Sequence, residues 1–299
     1  MAANCGKTGI GFTEMVKPDG EYEVMSFEQI LVLAIVQGLT EFLPVSSSGH
    51  LILIPAFTGW ADQGIVTDVM VHVGSLVAVI VYFWKDVLWL GGGIVDLVKG
   101  RVTLASKLAT YIGFATIPAL AFGALLKFSG ISEAIRGPEV VAWGAIIFGI
   151  LLYVADRFGP RERVMEEMSF KAAMIIGCAQ AVALIPGTSR SGITITAARF
   201  LGFRRDEAAR FSFLLGIPAI TAAGAFTALE AWQLGTPISG DAWLAAFLTF
   251  FAALAAIAIL MAVVKRTSFA VFVIYRLILG LVLLAMIYGF GPEWLPVLD

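Results

Sequence analysis

Long apolar runs are the feature that most restricts how this chain folds. A helix that crosses a bilayer needs about 20 predominantly apolar residues, and six windows reach or approach that length. Hydrophobic residues make up 59% of the 299 and charged residues 14%, with a mean hydropathy of +0.91, a balance that a water-soluble domain of this size does not keep. We therefore predict an all-α integral membrane protein with about six transmembrane helices. The windows are Val66 to Trp84, Leu108 to Phe128, Val140 to Val154 extended through Phe158, Ala208 to Leu229, Ala242 to Val264 and Ala270 to Phe290.

The few charges and cysteines exclude several other classes of protein. The net charge is -2, so no basic excess indicates nucleic-acid binding. Cys5 and Cys178 lack the spacing of a metal site, and the apolar stretch around Cys178 predicts a buried thiol. We expect neither a disulfide nor a structural zinc. Residues 1 to 24 are polar and unlike a signal peptide, so we treat them as a non-core extension, disordered or non-native, ahead of a single membrane domain over residues 25 to 299.

Two further apolar segments are interrupted by polar and turn-forming residues. The run from Phe27 to Val45 meets three serines and a glycine before it resumes at His50, and neither side is long enough to span alone. The run from Phe170 to Ile185 meets the sequence PGTSRSG before it resumes at Ile193. Each segment therefore predicts a helix, a break and a second helix.

The two breaks resemble each other enough to form a weak internal repeat. Each has a glutamine six or seven residues before a proline, followed by serines and a closing glycine. Interrupted helices at matching positions of two repeats are typical of inverted-topology membrane folds with a binding site near the bilayer midplane. We predict two re-entrant helical hairpins, repeat halves over residues 25–128 and 139–264, and a final helix over 270–290. The paired positions are Gln37 with Gln180, Pro44 with Pro186, and Gly49 with Gly192.

Loop charges predict how these segments are oriented in the membrane. Short cytoplasmic loops are enriched in Lys and Arg, and four connections carry such residues, whereas the loops 129–139 and 230–241 hold Arg136 as their single basic residue. We therefore expect the basic connections on the cytoplasmic side, and the two hairpins to enter from opposite faces with tips that meet. The residues of the basic connections are Lys85, Lys99, Arg101, Lys107, Arg157, Arg161, Arg163, Lys171, Arg204, Arg205, Lys265 and Arg266.

Each break precedes a helix start, which is a favourable place for an anion. Free amide groups and the positive end of the helix dipole point there, and non-helical backbone is tolerated in a membrane where it is buried in protein or lines a wet cavity. Arg190, within the second break, adds a cation whose planar guanidinium suits phosphate oxygens. The alternative is that it only pairs with a carboxylate or extends toward the interface. We predict a phosphate-binding cradle between the breaks.

Other residue types used in phosphoryl transfer lie beside the first break. Glu41 follows Gln37 by four residues, at a depth where a carboxylate needs Arg190, a metal or a proton as its partner; alternatively it only holds the hairpins together. His50 adjoins three serines and is interpreted as a general base, a phosphoryl acceptor or a metal ligand. His72 lies alone within a span and is interpreted as a packing residue. The hydroxyls that cluster at the breaks, and the glycines that allow close backbone approach, are Ser46, Ser47, Ser48, Ser189, Ser191, Gly187 and Gly192.

The segments QGLTEFLPVSSSGH and PGTSRSGIT resemble the two signature motifs of the undecaprenyl pyrophosphate phosphatase, or bacitracin-resistance, family. The resemblance covers nearly everything from Met25 onward, with both motifs in the family's order. It implies a multi-pass enzyme of the bacterial inner membrane, open to the periplasmic face, that removes the terminal phosphate of undecaprenyl diphosphate. That reaction recycles the lipid carrier for peptidoglycan and cell wall synthesis. The expected partners are the polyprenyl diphosphate lipid, the bilayer and a second copy in a homodimer.

The resemblance also implies roles for single residues. Family members depend on divalent cations, which implies Mg2+ or Ca2+ between the diphosphate and Glu41. Gln37 stands where many members have glutamate and offers only a neutral oxygen to that metal. The implied catalytic residues are Glu41, Ser47, His50 and Arg190. The residues expected to bind substrate are Gln37, Ser46, Ser48, Gly187, Ser189, Arg190, Ser191 and Thr194.

The sequence leaves the nucleophile and one rival function open. Ser47, activated by His50, forms a phosphoenzyme; or His50 is itself phosphorylated; or His50 activates water. The rival function is an inverted-repeat transporter or flippase for a lipid phosphate, because that architecture also carries opposed hairpins. A flippase requires a site that opens to both faces, whereas an outward-facing hydrolase requires one opening.

Overall fold

The computed structural model describes residues 25–61, 63–130, 137–233, 235 and 237–290. These residues form eleven α-helices and one short 3-10 helix, which confirms the predicted all-α class. The predictions for residues 1 to 24 and for Cys5 lie outside the described residues. The helices are α1 Phe27–Phe42, α2 Ser47–Thr58, α3 Gly64–Tyr82, α4 Trp84–Val98, α5 Leu104–Ser129, α6 Pro138–Phe158, α7 Phe170–Val182, α8 Arg190–Phe200, α9 Arg205–Gln233, α10 Gly240–Arg266 and α11 Ala270–Phe290.

Six of the described helices are long and apolar enough to cross a membrane, namely α3, α5, α6, α9, α10 and α11. They coincide with the six predicted windows, so the prediction of about six transmembrane helices is confirmed. Their starts follow local rules of helix capping. A reciprocal capping box of Thr103 and Ser106 begins α5, Pro138 occupies the first turn of α6, and the Ser239 hydroxyl accepts from the Ala242 amide at the start of α10.

The connection between α3 and α5 contains a helix that the sequence reading did not predict. Helix α4 packs along α5, and its Leu88 and Val98 side chains are exposed. Arg210 of α9 donates to the Asp86 carboxylate in the first turn of α4. Its apolar stretch is too short to span a bilayer and is bordered by Lys85 and Lys99, so the length of the run gives no signal for this helix.

Both interrupted segments form the predicted helix, break and helix. Helix α1 ends before Pro44, and α2 begins at Ser47; α7 ends before Pro186, and α8 begins at Arg190. With 16 residues in α1 and 13 in α7, a rise of 1.5 Å per residue gives about 24 and 20 Å, short of the roughly 30 Å hydrocarbon core. That each pair is re-entrant stays a prediction. Cys178 corrects an expectation, since its thiol is free and exposed on α7 rather than buried.

The first helix of each interrupted pair packs against a span from the other half of the chain. Helix α1 packs on α10, and α7 packs on α5. Glycines permit both approaches, as is common between membrane helices. A methyl group at Gly38 would lie 2.8 Å from the Ala253 nitrogen, and one at Gly177 would lie 2.2 Å from the Ala115 carbonyl oxygen. The halves are therefore interleaved, because α10 of the second half packs on the first interrupted pair and α5 of the first half packs on the second.

We expect Gly177→Ala to destabilise the protein, because its methyl group would overlap the backbone of α5. Overpacking of this kind costs about 1–3 kcal/mol. The measurement is the thermal unfolding midpoint of the purified protein in detergent. Gly113→Ala, in α5 itself, is the matched control, since nothing lies within 4 Å of the added methyl group. Equal midpoints for the two variants would contradict the close α5–α7 contact.

Candidate active site

The two breaks meet at the centre of the fold. Arg190, at the start of α8, donates from Nη2 to Glu41 Oε1 over 3.2 Å. The Ser191 hydroxyl donates to the Leu43 carbonyl in the first break over 3.0 Å. The predicted contact between the two tips is therefore present, and it joins residues that lie almost 150 positions apart in the chain.

Glu41 is the centre of the polar network. Its second oxygen, Oε2, accepts from the Ser47 hydroxyl over 2.7 Å and from Gln37 Nε2 over 3.1 Å. Only 7% of Glu41 is exposed, and a buried carboxylate is tolerated where charged and hydrogen-bonding partners surround it. Spacing in the chain explains two of these contacts: Gln37 lies one helical turn before Glu41, and the break returns the chain so that Ser47 faces the end of α1.

Ser47 and His50 do not form the pair that one version of the mechanism requires. His50 Nδ1 lies 2.7 Å from the Ser46 carbonyl oxygen, so it donates there, and Nε2 lies 2.5 Å from the Tyr275 hydroxyl of α11. Both ring nitrogens are thus engaged away from Ser47. The Ser47 hydroxyl instead contacts a carboxylate, which is also a competent proton acceptor.

The remaining predicted residues of the second break hold the hairpin in place. Ser191 and Thr194 are fully buried, and the Thr194 hydroxyl lies 2.6 Å from that of Ser212 in α9. Arg190 also donates to the Ser212 carbonyl over 3.3 Å. The Arg190 guanidinium is therefore fixed by α9 on one side and by Glu41 on the other, which orients it before any substrate binds.

Ser46 and Ser189 adopt the same uncommon backbone conformation in the two breaks. They are the only non-glycine residues with positive φ in the described part of the chain, at 79° and 71°, and each immediately precedes the second helix of its pair. Such conformations cost about 1–3 kcal/mol and are concentrated at functional sites. Ser189 caps α8 by accepting from the Gly192 amide, whereas Ser46 makes no capping bond and leaves the start of α2 open. Ser48, also expected to bind substrate, is exposed beside Ser46.

Arg276 of α11 is a central residue that the sequence reading missed. It is fully buried, and its guanidinium donates to four backbone carbonyls. Two of these, Pro44 and Gly187, belong to the two breaks. One side chain therefore donates to non-helical backbone in both breaks. Gly187 has φ of +82°, and a methyl group there would lie 2.3 Å from the Val141 carbonyl oxygen; its contact with substrate stays a prediction. The sequence did contain a signal for Arg276, because an arginine in the middle of an apolar span is costly and needs partners there.

His72 of α3 was interpreted as a packing residue, and that interpretation is wrong. Its Nε2 lies 3.8 Å from Glu41 Oε2, and its Nδ1 lies 2.7 Å from the Asp68 carbonyl oxygen. An ionisable side chain within a span was the available signal for His72, but the sequence could not identify Glu41 as its neighbour.

The polar atoms beside Glu41 also bear on the predicted metal. Gln37 is fully buried, and its Oε1 has no hydrogen-bond partner among the described residues. A buried amide oxygen without a donor is suited to a cation or a water molecule. No group of three or more His, Cys, Asp or Glu suited to a metal occurs in the residues that the structure describes. A cation at Glu41 therefore fits where Gln37 and the substrate supply further oxygens.

We expect Arg276→Met to destabilise the protein strongly, because four buried carbonyls would lose their donor. Leaving buried polar groups unpaired costs about 1–3 kcal/mol each before relaxation, so a loss of roughly 3 kcal/mol is expected. Reversible unfolding in SDS and mixed micelles measures it. Tyr275→Phe, the neighbouring residue of the same helix, is the control and should lose less than about 1.5 kcal/mol. A neutral Arg276→Met would show that the carbonyls are satisfied in another way.

Comparisons with known proteins find matches over most of the chain. The bacitracin resistance protein BacA family model matches residues 30–282. The Undecaprenyl-diphosphatase of Jannaschia sp. (strain CCS1) is 49% identical over 267 residues, which cover 89% of this chain and 100% of the relative. That of Erythrobacter litoralis (strain HTCC2594) is 48% identical over 283 residues, and that of Maricaulis maris (strain MCS10) is 47% identical over 265, each covering 87% of this chain and 99% or 98% of the relative.

Proposed function

The chain belongs to the bacitracin resistance protein BacA family, and we propose that it hydrolyses undecaprenyl diphosphate to undecaprenyl phosphate and inorganic phosphate. The observation that carries the proposal is the joined pair of breaks, where a carboxylate, a hydroxyl and a fixed guanidinium converge. Relatives that share nearly half of the sequence over their full length are named for this activity. The product is the lipid carrier that cell-wall synthesis uses again.

Arg190 and the open start of α2 are the groups that bind the diphosphate. Arg190 is 15% exposed, so part of its guanidinium remains available to phosphate oxygens beside the Glu41 contact. The first amides of α2 have no capping side chain, and such amides favour an anion. Binding the terminal phosphate between these groups neutralises charge where it develops during phosphoryl transfer.

Ser47 is the nucleophile that the geometry favours, with Glu41 as its proton acceptor. The Ser47 oxygen attacks the terminal phosphorus, its proton passes to Glu41 Oε2, and the bond from that phosphorus to the bridging oxygen breaks. Undecaprenyl phosphate leaves, and water then hydrolyses the phosphoserine to free phosphate. The 2.7 Å hydrogen bond from Ser47 to Glu41 supports this assignment. His50, held by Ser46 and Tyr275, orients the start of α2.

A divalent cation belongs to this proposal as well. Glu41 and the partnerless Gln37 Oε1 are the protein oxygens that would hold it. When bound, it supplies positive charge against the diphosphate oxygens. We also place the protein in the inner membrane with the site open to the periplasmic face. The six long apolar helices support a membrane location. The orientation rests on the positive-inside rule, since the loops 129–139 and 230–241 hold one basic residue whereas four other connections are rich in Lys and Arg.

The direct test is phosphate release by the purified protein in detergent, with undecaprenyl diphosphate and Mg2+ or Ca2+. We expect metal-dependent release, and a loss of at least about 100-fold for Arg190→Ala. Removing the guanidinium leaves Glu41 buried without its ion-pair partner, and a deficit near 3 kcal/mol corresponds to two decades in rate.

Arg157→Ala is the matched arginine control, because Arg157 is exposed at the end of α6 and should retain normal release. Normal release by Arg190→Ala would contradict the proposed site. An absence of metal-dependent release in the unmodified protein would favour the transporter.

A second experiment separates the candidate nucleophiles. Rapid quenching with substrate labelled at the terminal phosphate should trap an acid-stable phosphoenzyme that maps to Ser47, because phosphoserine survives acid and phosphohistidine does not. Ser47→Ala should abolish both the label and turnover, whereas His50→Gln should lower turnover and keep the label on serine. Label on His50, or full activity of Ser47→Ala, would overturn the assignment to Ser47.

A further inference from the structure

The surroundings of His72 determine which of its ring nitrogens is free. Nδ1 lies 2.7 Å from the Asp68 carbonyl oxygen, one turn earlier in α3. A carbonyl only accepts, so Nδ1 carries the proton, and in the neutral ring Nε2 presents its lone pair. Nε2 lies 3.8 Å from Glu41 Oε2. A histidine whose second nitrogen donates to a backbone carbonyl has the arrangement that metal-binding histidines usually have.

A direct hydrogen bond does not account for this approach. The distance of 3.8 Å exceeds the 2.7–3.2 Å of a nitrogen–oxygen hydrogen bond. Two electron-rich atoms at this separation are instead compatible with a cation between them. With bonds of about 2.1 Å, two adjacent ligands of one octahedral cation lie about 3.0 Å apart, so a bound cation would draw Nε2 and Oε2 closer by about 0.8 Å.

We propose that His72 is a nitrogen ligand of the catalytic cation, together with the Glu41 carboxylate and the Gln37 amide oxygen. This inference rests on the proposed function, because it concerns the cation of that site. Gln37 contributes no charge, and its Oε1 is buried without a partner in the described part of the chain. His72 gives the site a third protein ligand, and its side chain is 35% exposed.

The ligand set has a chemical consequence for metal preference. Oxygen ligands alone suit Mg2+ and Ca2+, whereas an imidazole nitrogen favours first-row transition metals. A site with one imidazole, one carboxylate and one amide oxygen should therefore bind Mn2+ more tightly than Mg2+ or Ca2+. His72→Gln should reduce this preference, because it removes the nitrogen and keeps a polar side chain of similar reach.

Electron paramagnetic resonance of bound Mn2+ tests the proposal without substrate or turnover. The chain contains two histidines, His50 and His72, so a histidine-free affinity tag limits the imidazole signal to these two. We expect electron spin echo modulation from a directly coordinated 14N in the unmodified protein. Histidine labelled with 15N should replace it by the 15N pattern, which identifies histidine with no change in sequence.

The two matched variants assign the nitrogen. His72→Gln should abolish the modulation and weaken Mn2+ binding by at least about 10-fold, with less than a threefold change for Ca2+. His50→Gln should keep the 14N modulation and the Mn2+ affinity of the unmodified protein. Modulation that persists in His72→Gln, is lost in His50→Gln, or is absent from the unmodified protein with bound Mn2+ would overturn the proposal.

Phosphate release is measured separately on the same samples, so that the two proposals fail independently. Normal release without histidine coordination would contradict the ligand assignment alone. Coordination by His72 without release would contradict the proposed function alone.

Discussion

Peptide groups at the two helix breaks need hydrogen-bond partners inside the protein, because the hydrocarbon region of a bilayer offers none. Arg276 meets part of that need, by donating to one carbonyl of each break and to two of α6. Ser191 adds a bond from the second break to the first. The contacts that satisfy the backbone therefore also hold the two breaks against each other. They determine the relative positions of Glu41, Ser47 and Arg190.

The charges of the centre follow from the same constraint. Arg276 is surrounded by carbonyl dipoles and has no carboxylate bonded to it among the described residues, whereas Arg190 shares its charge with Glu41. Two guanidinium groups and one carboxylate give a net positive charge near the starts of α2 and α8. In a low-dielectric interior such a balance is unfavourable alone and strongly favours an anion. A diphosphate is an anion of suitable charge, and this preference agrees with the phosphatase activity for which the relatives are named.

The sequence predicted the features that depend on local pattern. It did not predict contacts that depend on how separate helices pack together. Run length identified all six spans, and proline, glycine and serine marked both breaks. The Glu41–Arg190 pair could be anticipated because each is a costly charge at depth. Arg276 carried the same signal but was obscured by the strong apolar average of its span. His72 carried a similar signal, but its neighbour depends on how α3 packs beside α1, and helical periodicity contains no information about a neighbouring segment.

The two helix–break–helix segments share a repeated backbone conformation but carry different functional side chains. Ser46 and Ser189 repeat the same positive φ, so the turn itself is shared. The glutamines are repeated too, but their surroundings differ: Gln37 donates to Glu41 one turn later, whereas Leu184 occupies the equivalent position after Gln180, whose amide atoms have no partner in the described chain. Phosphoryl transfer needs a proton acceptor on one side of the phosphate and a cation on another. With the carboxylate and hydroxyl on the first hairpin and the guanidinium on the second, neither half holds a complete site, and catalysis depends on the interleaving of α1 with α10 and of α7 with α5.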